Sequence, residues 1–148
     1  MKIAFGCDHK GFILKKALID RMTQLGHEVI DCGTCSEEST HYPIYGEKVG
    51  ALVSSGECER GVLVCGTGYG ISLAANQFKG VRAVNCSDVY TATLTRSHNN
   101  ANVLSVGAMV VGEGLALLIL EAFLNTPFDG GRHQARLDMV REIREKNA

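Results

Sequence analysis

Five short apolar segments, each followed by a stretch of helical character, constrain the fold of this chain more than any other feature. The segments are apolar throughout, which is typical of strands covered on both faces, as in parallel sheets. Their alternation with helices requires right-handed crossovers, so we predict a three-layer α/β/α sandwich around a five-stranded parallel, Rossmann-like sheet. The predicted strands are 2–7, 28–32, 61–65, 81–85 and 103–106, and the predicted helices are 11–25, 44–54, 71–78, 87–96, 113–124 and 133–146.

The 148 residues suit a single domain, 1–148, with a substantial core. The last helix, about 133–146, either stays on this core or packs on a partner subunit. A formal net charge of −1 gives no broad electrostatic footprint for nucleic acid or a membrane surface. No apolar run is long enough to cross a bilayer, and residues 1–6 are too short for a secretory signal. We therefore expect a cytoplasmic protein.

The six cysteines do not indicate a disulfide framework, since a chain of this size without a secretory signal does not need one. Cys32 and Cys35 have the C-x-x-C spacing, which can indicate redox chemistry or half of a zinc site. No second pair accompanies them, so we interpret the two thiols as incidental. His27, His41 and His133 show no metal-ligand spacing either, and we expect no metal. The remaining cysteines are Cys7, Cys58, Cys65 and Cys86.

A glycine-rich loop, residues 66–70, follows the third predicted strand directly after Cys65. Ligands of parallel sheets bind at this edge, where backbone N–H groups and the positive end of the next helix favour an anion or a thiolate. The pattern is G-x-G-x-G, it does not follow the first strand, and no Walker-type lysine is present, so neither a nicotinamide cofactor nor ATP is expected. The loop is also consistent with a tight turn that needs glycine for its backbone alone.

Cys65 has three interpretations: a packed thiol, a nucleophile for covalent catalysis, or a base that removes a proton next to a carbonyl group. Polar residues at the ends of neighbouring strands should converge on it, because the carboxyl ends of parallel strands meet at one edge. His98 precedes the fifth strand, and we expect it to reach this edge from its loop. The converging residues are Asp8, His9 and Lys10 after the first strand, Thr67 and the glycines after the third, and Ser87, Asp88 and Tyr90 after the fourth.

Arg132 and Arg136 stand four residues apart at the start of the last predicted helix, so they share one face. Two guanidinium groups together suit a phosphate group. Taken alone, the pair is explained more simply as solvated charge that pairs with Asp138 or Glu142. The residues by themselves leave both interpretations open.

Several of these segments stand in the order found in a known family. The sequence resembles type B ribose-5-phosphate isomerase, whose family also contains allose-6-phosphate and galactose-6-phosphate isomerases. The resemblance implies an aldose–ketose isomerase that uses no metal or organic cofactor and interconverts ribose 5-phosphate and ribulose 5-phosphate through an enediolate. It rests on Gly6–His9, Cys65–Ser72, Ala75–Asn76, Gly80–Ala83, His98–Asn99, Asn102–Leu104 and Gly130–His133.

The resemblance also implies a role for each matching residue. Cys65 matches the base. Some members use a glutamate further along the chain instead, but the matching position here is Ser72, so the resemblance implies the cysteine base. His98 matches the residue that opens the sugar ring, with Asp8 near the ring oxygens, and Thr67 matches a hydroxyl that assists proton transfer. The residues that match the phosphate ligands are His9, Arg132 and Arg136. In the family the two arginines come from the partner subunit, which implies a homodimer or a tetramer. The residues that match the enediolate cradle are Gly66, Thr67, Gly68, Tyr69, Gly70 and Asn99.

One residue departs from this pattern, because many relatives have an arginine near the phosphate where this chain has Met109. Either Arg132 and Arg136 suffice, or the pocket accepts a longer or differently placed sugar. An isomerase of a six-carbon sugar phosphate, such as allose 6-phosphate or galactose 6-phosphate, is therefore the nearest alternative. Two others belong to different classes: a binding module for a phosphorylated ligand without turnover, and a thiol redox protein that uses Cys65 or the Cys32/Cys35 pair.

Overall fold

The computed structural model describes residues 1–148 and contains one five-stranded sheet in which every neighbouring pair of strands is parallel. The strand order is β2-β1-β3-β5-β4, so β5 lies between two strands that precede it in the chain. The predicted parallel sheet is confirmed. Its strands are β1 Lys2–Cys7, β2 Glu28–Asp31, β3 Arg60–Cys65, β4 Ala83–Asn85 and β5 Val103–Gly107.

Helices cover both faces of the sheet, as predicted for a three-layer sandwich. Helices α1, α4 and α5 pack on one face and α2 and α3 on the other. None of the helices has the length and apolar composition needed to span a bilayer. The helices are α1 Phe12–Gln24, α2 Tyr42–Ser54, α3 Tyr69–Ala75, α4 Val89–Ser97, α5 Glu113–Asn125 and α6 Arg132–Lys146.

Successive side chains of the strands supply two separate hydrophobic clusters, one on each face. In β1, Phe5 and Cys7 pack with α1 and α5, whereas Ala4 packs with α2. In β3, Leu63 and Cys65 lie on the α2/α3 side. Complete burial of a side chain such as that of Phe5 stabilises the fold by about 1.5–3 kcal/mol. The same alternation therefore turns the Cys65 thiol toward the layer formed by α2 and α3.

Five predicted boundaries are wrong by two or three residues: α2 begins at Tyr42, α3 begins at Tyr69 and ends at Ala75, β4 begins at Ala83 and α4 begins at Val89. Two of these differences have a clear local reason. Helix α3 begins at Tyr69, not at residue 71, because the chain turns through a left-handed Gly68, so the last two residues of the glycine loop belong to the helix. Strand β4 begins at Ala83, not at residue 81, because the Arg82 N–H is donated to the side chain of Asn102 and not to a neighbouring strand.

Helix α6 is set apart from the sandwich. His133 is its only buried residue, whereas Met139, Val140 and Ile143 are each about 60% exposed. Near its end, the Arg144 guanidinium donates to the carbonyl oxygens of Gln77 and Phe78. An apolar stripe left in solvent is characteristic of a surface that packs against another molecule, and packing of α6 on a partner subunit stays a prediction.

Candidate active site

The Cys65 sulfur lies at the carboxyl end of β3, where the glycine loop folds back over it. The backbone N–H of Gly68 donates to Cys65 Sγ at 3.2 Å, and the Cys65 side chain is 5% exposed. Gly68 has φ 85°, and a Cβ at this position would lie 2.0 Å from Asn85 Nδ2. Only glycine therefore allows the loop to place this N–H at the sulfur.

Two polar residues from neighbouring strands hold the loop in place. Asn85 Nδ2, at the end of β4, donates to the Thr67 carbonyl at 3.0 Å, and the Ser105 hydroxyl in β5 donates to the Gly68 carbonyl. Ser105 is fully buried. Neither residue was identified from the sequence. The available signal was their polar character inside apolar strands, because a buried polar group requires a hydrogen-bond partner.

The rest of the loop is bonded within itself. Thr67 Oγ1 accepts the Tyr69 N–H at 3.3 Å, which leaves the Thr67 hydroxyl hydrogen free to donate. The buried Ser72 hydroxyl donates to the Tyr69 carbonyl at 2.7 Å. The ring of Tyr42 covers Gly70, where a Cβ would lie 2.7 Å from the ring. The N–H groups of Gly68 and Tyr69 thus already donate to Cys65 and Thr67. These hydrogen bonds would have to break before either N–H group could bind an anion.

The turn after β1 brings Asp8 and His9 to the same edge of the sheet. Asp8 is buried, and its Oδ1 accepts the N–H groups of Lys10 at 3.0 Å and Gly11 at 3.3 Å. His9 Nδ1 accepts the Thr40 N–H at 3.2 Å. A neutral imidazole that accepts at Nδ1 carries its proton on Nε2. His9 therefore presents an N–H donor on the other side of its ring.

A cavity of about 510 Å³ opens beside the loop, between the turn after β1 and the turn after β5. Met109 and Lys10 border it next to Gly66, since a Cβ on Gly66 would lie 3.6 Å from Met109 Sδ and 3.8 Å from Lys10 Cγ. The cavity is large enough for a small phosphorylated metabolite. Its polar lining includes His9, Lys10, Glu37 and Glu113.

A second group of predicted site residues gathers around the start of α6. The rings of His98 and His133 stack with centroids 4.1 Å apart and an angle of 10° between their planes. Burial lowers the pKa of His133, and so do the charges of His98, Arg132 and Arg136, so its ring stays neutral to a more acid pH than usual. Arg132 and Arg136 are exposed on the same helix. This group therefore combines imidazole rings with free guanidinium groups.

Asp129 joins the two histidines, and the three side chains could place ligand atoms within 4.8 Å of one another. Metal coordination by imidazole uses the lone pair in the ring plane. Because the two rings are nearly parallel, these lone pairs do not converge on one ion. The arrangement is not a preformed metal site.

The two groups lie at opposite ends of the strands, the Cys65 group at the carboxyl ends and the His98 group at the amino ends. Helix α4 runs back from the end of β4, so His98 and Asn99 come just before β5, where the Asn102 carbonyl accepts the N–H of Gly61 at 2.9 Å. Cys65 pairs with the last residue of β5, four residues after the start of that strand. At 3.3 Å per residue, the two ends of β5 are about 13 Å apart. The expectation that His98 reaches the Cys65 edge from its own loop is therefore wrong.

The arginines are held at the same amino ends. The Asp129 N–H donates to the Ser97 carbonyl at 3.0 Å, which ties the start of α6 to the end of α4. Arg132 and Arg136 thus accompany His98 and Asn99, whereas His9 accompanies Cys65. One chain therefore holds the predicted site residues in two separate sets: a thiol set with Asp8, His9, Cys65 and Thr67, and an arginine set with His98, Asn99, Arg132 and Arg136.

The other cysteines are free thiols of very different accessibility. Burial raises the pKa of Cys7 to about 12, which leaves roughly one molecule in ten thousand as thiolate at pH 8. Cys35 is exposed. We expect iodoacetamide at pH 8 to modify Cys35 readily and Cys7 only after unfolding, as measured by mass spectrometry of the peptides. Labelling in denaturant is the control, and rapid modification of native Cys7 would contradict its burial.

Comparison with known proteins gives matches over nearly the whole chain. The model of the family described as ribose/galactose isomerase matches residues 3–140. Ribose-5-phosphate isomerase B of Escherichia coli (strain K12) is 51% identical over 145 residues, which cover 98% of this chain and 97% of that protein. A galactose-6-phosphate isomerase subunit of Clostridium acetobutylicum is 43% identical over 128 residues, covering 86% of this chain and 74% of the subunit. The structure of ribose-5-phosphate isomerase B from Clostridium thermocellum superposes with a TM-score of 0.97 at 48% identity and covers 100% of both chains.

Proposed function

The chain belongs to the ribose/galactose isomerase family, and from this premise we propose that it interconverts ribose 5-phosphate and ribulose 5-phosphate with Cys65 as the base. Membership makes it an aldose–ketose isomerase of sugar phosphates. The five-carbon substrate is supported by the name of the Escherichia coli relative. The observation that carries the chemistry is the Cys65 sulfur at a strand end, 3.2 Å from the Gly68 nitrogen that donates to it.

In the proposed reaction the Cys65 thiolate removes the proton from carbon 2 of the open-chain sugar, and negative charge moves onto the carbonyl oxygen at carbon 1. The resulting enediolate takes a proton back at carbon 1, and the oxygen on carbon 2 becomes the carbonyl. One hydroxyl proton must also pass between the two oxygens. Thr67 supports this transfer, because its hydroxyl hydrogen is free while its oxygen accepts from Tyr69. The N–H groups of Gly66 and Thr67, which have no acceptor in the folded chain, stabilise the charge as it develops.

Ring opening and phosphate binding fall to the remaining residues. His98 acts as the acid–base group that opens the ring. Asp8 lies near the ring oxygens: its Oδ1 accepts the N–H groups of the turn, and its Oδ2 is left to contact the sugar. His9 donates from Nε2 to the phosphate, and Arg132 and Arg136 neutralise its charge. A phosphate held away from the reacting carbons provides binding energy that orients them.

The separation of the two sets supports a homodimer with shared sites. The thiol set and the arginine set lie at opposite ends of the strands in one chain, so a complete site needs the thiol set of one subunit and the arginine set of its partner. The exposed apolar stripe Met139, Val140 and Ile143 on α6 supports such a contact. Because the arginine set includes His98 and Asn99, the partner would supply these residues as well as the arginines.

A six-carbon substrate is the second candidate, and one observation favours it. Met109 lines the 510 Å³ cavity next to Gly66, and its side chain is uncharged and shorter than an arginine, which leaves space for a longer sugar. The family match and the galactose-6-phosphate isomerase subunit agree with this possibility.

Turnover of ribose 5-phosphate, allose 6-phosphate and galactose 6-phosphate by the same preparation decides between them. We expect kcat/KM to be about tenfold or more higher for ribose 5-phosphate, since one carbon in a shaped pocket changes binding by about 10- to 200-fold. A reversed order would establish the six-carbon substrate. Binding of all three sugars without turnover would leave only the phosphate-binding module.

A further inference from the structure

We propose that Lys10 binds the substrate phosphate and provides the positive charge that Met109 does not. The inference rests on the proposed function, since it concerns the phosphate of the same sugar. It adds a binding residue to His9, Arg132 and Arg136, and this residue belongs to the thiol set.

The position of Lys10 is set by the turn that carries His9. The Lys10 N–H donates to Asp8 Oδ1 at 3.0 Å, so the buried Asp8 carboxylate fixes the backbone at this point. His9 and Lys10 both line the 510 Å³ cavity. A cation carried by this turn therefore lies next to the imidazole donor proposed for the phosphate.

The stem of Lys10 shares Gly66 with Met109. A Cβ on Gly66 would lie 3.8 Å from Lys10 Cγ, 3.9 Å from Lys10 Cβ and 3.6 Å from Met109 Sδ. The two side chains thus border the cavity side by side, next to the glycine that follows Cys65 in the chain. Since methionine carries no charge and no hydrogen-bond donor, Lys10 is the cation available at this end of the cavity.

The Lys10 ammonium has no partner in the folded chain. The other lysines of this region are occupied: Lys15 Nζ contacts Asp31 at 2.7 Å, and Lys16 Nζ contacts Asp20 at 2.6 Å. Glu37 and Glu113 also line the cavity, yet neither forms an ion pair with Lys10. Lysine acts on phosphate as a point charge on a flexible stem, so it needs no rigid geometry to make this contact.

The test compares Lys10→Met with Lys10→Arg. Loss of a charge-assisted contact should raise KM about 10- to 100-fold for Lys10→Met with little change in kcat, and the arginine variant should keep most of the affinity. Adding Met109→Arg to Lys10→Met should restore a low KM, because the new guanidinium enters the cavity beside the lost ammonium. Lys16→Met, on the same stretch of chain but paired with Asp20, is the control that should behave as the unaltered protein.

Binding of inorganic phosphate, measured by calorimetry, separates this inference from the proposed reaction. Weaker phosphate binding in Lys10→Met than in Lys16→Met supports the contact even if ribose 5-phosphate is not turned over. Unchanged KM and unchanged phosphate affinity in Lys10→Met would overturn the inference. So would an equal loss in Lys10→Arg that Met109→Arg does not repair, because charge would then not be the property that matters.

Discussion

Cys65→Ala is expected to lower the rate of isomerisation by about 10²–10⁴-fold, the usual contribution of a positioned acid–base group. Alanine removes the only group that the proposed reaction uses to take the proton from carbon 2. It leaves the strand, the loop and the phosphate ligands in place, because the sulfur is bonded only to the Gly68 N–H. The measurement is kcat together with calorimetric binding of inorganic phosphate, which should persist.

Exchange of the carbon-2 hydrogen with deuterated water gives an independent readout of the same step. It should disappear with Cys65→Ala, since no enediolate would form. The matched control is the double variant Cys32→Ser and Cys35→Ser, whose turnover should stay within about twofold of the unaltered protein. Retained exchange in Cys65→Ala would assign the base to another group, and a collapse of the control would support the thiol redox alternative.

Mixing two impaired variants should restore activity, measured at a substrate concentration well below their KM, if the site is shared. Cys65→Ala damages the thiol set and Arg136→Ala damages the arginine set. After random reassociation, half of the dimers are mixed, and each of these has one site with both changes and one with neither. About a quarter of all sites would then be intact, so activity should rise to about a quarter of that of the unaltered protein.

A second mixture makes this result specific. His98→Ala and Arg136→Ala both lie in the arginine set, so every site of a mixed dimer contains one of the two changes. This mixture should show no recovery of activity at the same substrate concentration. Recovery in both mixtures would show that His98 and the arginines serve different sites, and no recovery in the first would show that each site is built within one chain.

Much of the fold was predictable because its signals are local. Short apolar strands and helical stripes identify a parallel α/β sandwich, and Cys65 falls at a strand end whatever the order of the strands. The support of the glycine loop was not predictable in this way. Ser105 is bonded to Gly68, 37 residues earlier in the chain, only because β5 lies beside β3. Strand order is a property of the assembled sheet, and the spacing of residues does not reveal it.

The location of His98 was mistaken for a related reason. Because His98 is close to β5 in the chain, it was expected at the carboxyl ends of the strands, where ligands bind. A helix that follows a parallel strand, however, returns to the amino ends before the next strand begins. Because α4 runs back in this way, His98 and Cys65 are separated by the length of a strand. The resemblance already implied that Arg132 and Arg136 come from the partner subunit, and what the sequence did not indicate is that His98 and Asn99 lie with them.

Helix α6 carries two arginines proposed for the substrate and, further along, an apolar stripe open to solvent. If both engage a partner, a newly synthesised chain is catalytically silent until it meets another, and activity reports that assembly is complete. Selection for turnover would then act directly on subunit contact. A substitution at Met139 or Ile143, far from any reacting atom, could be lost from a population as surely as one in the glycine loop.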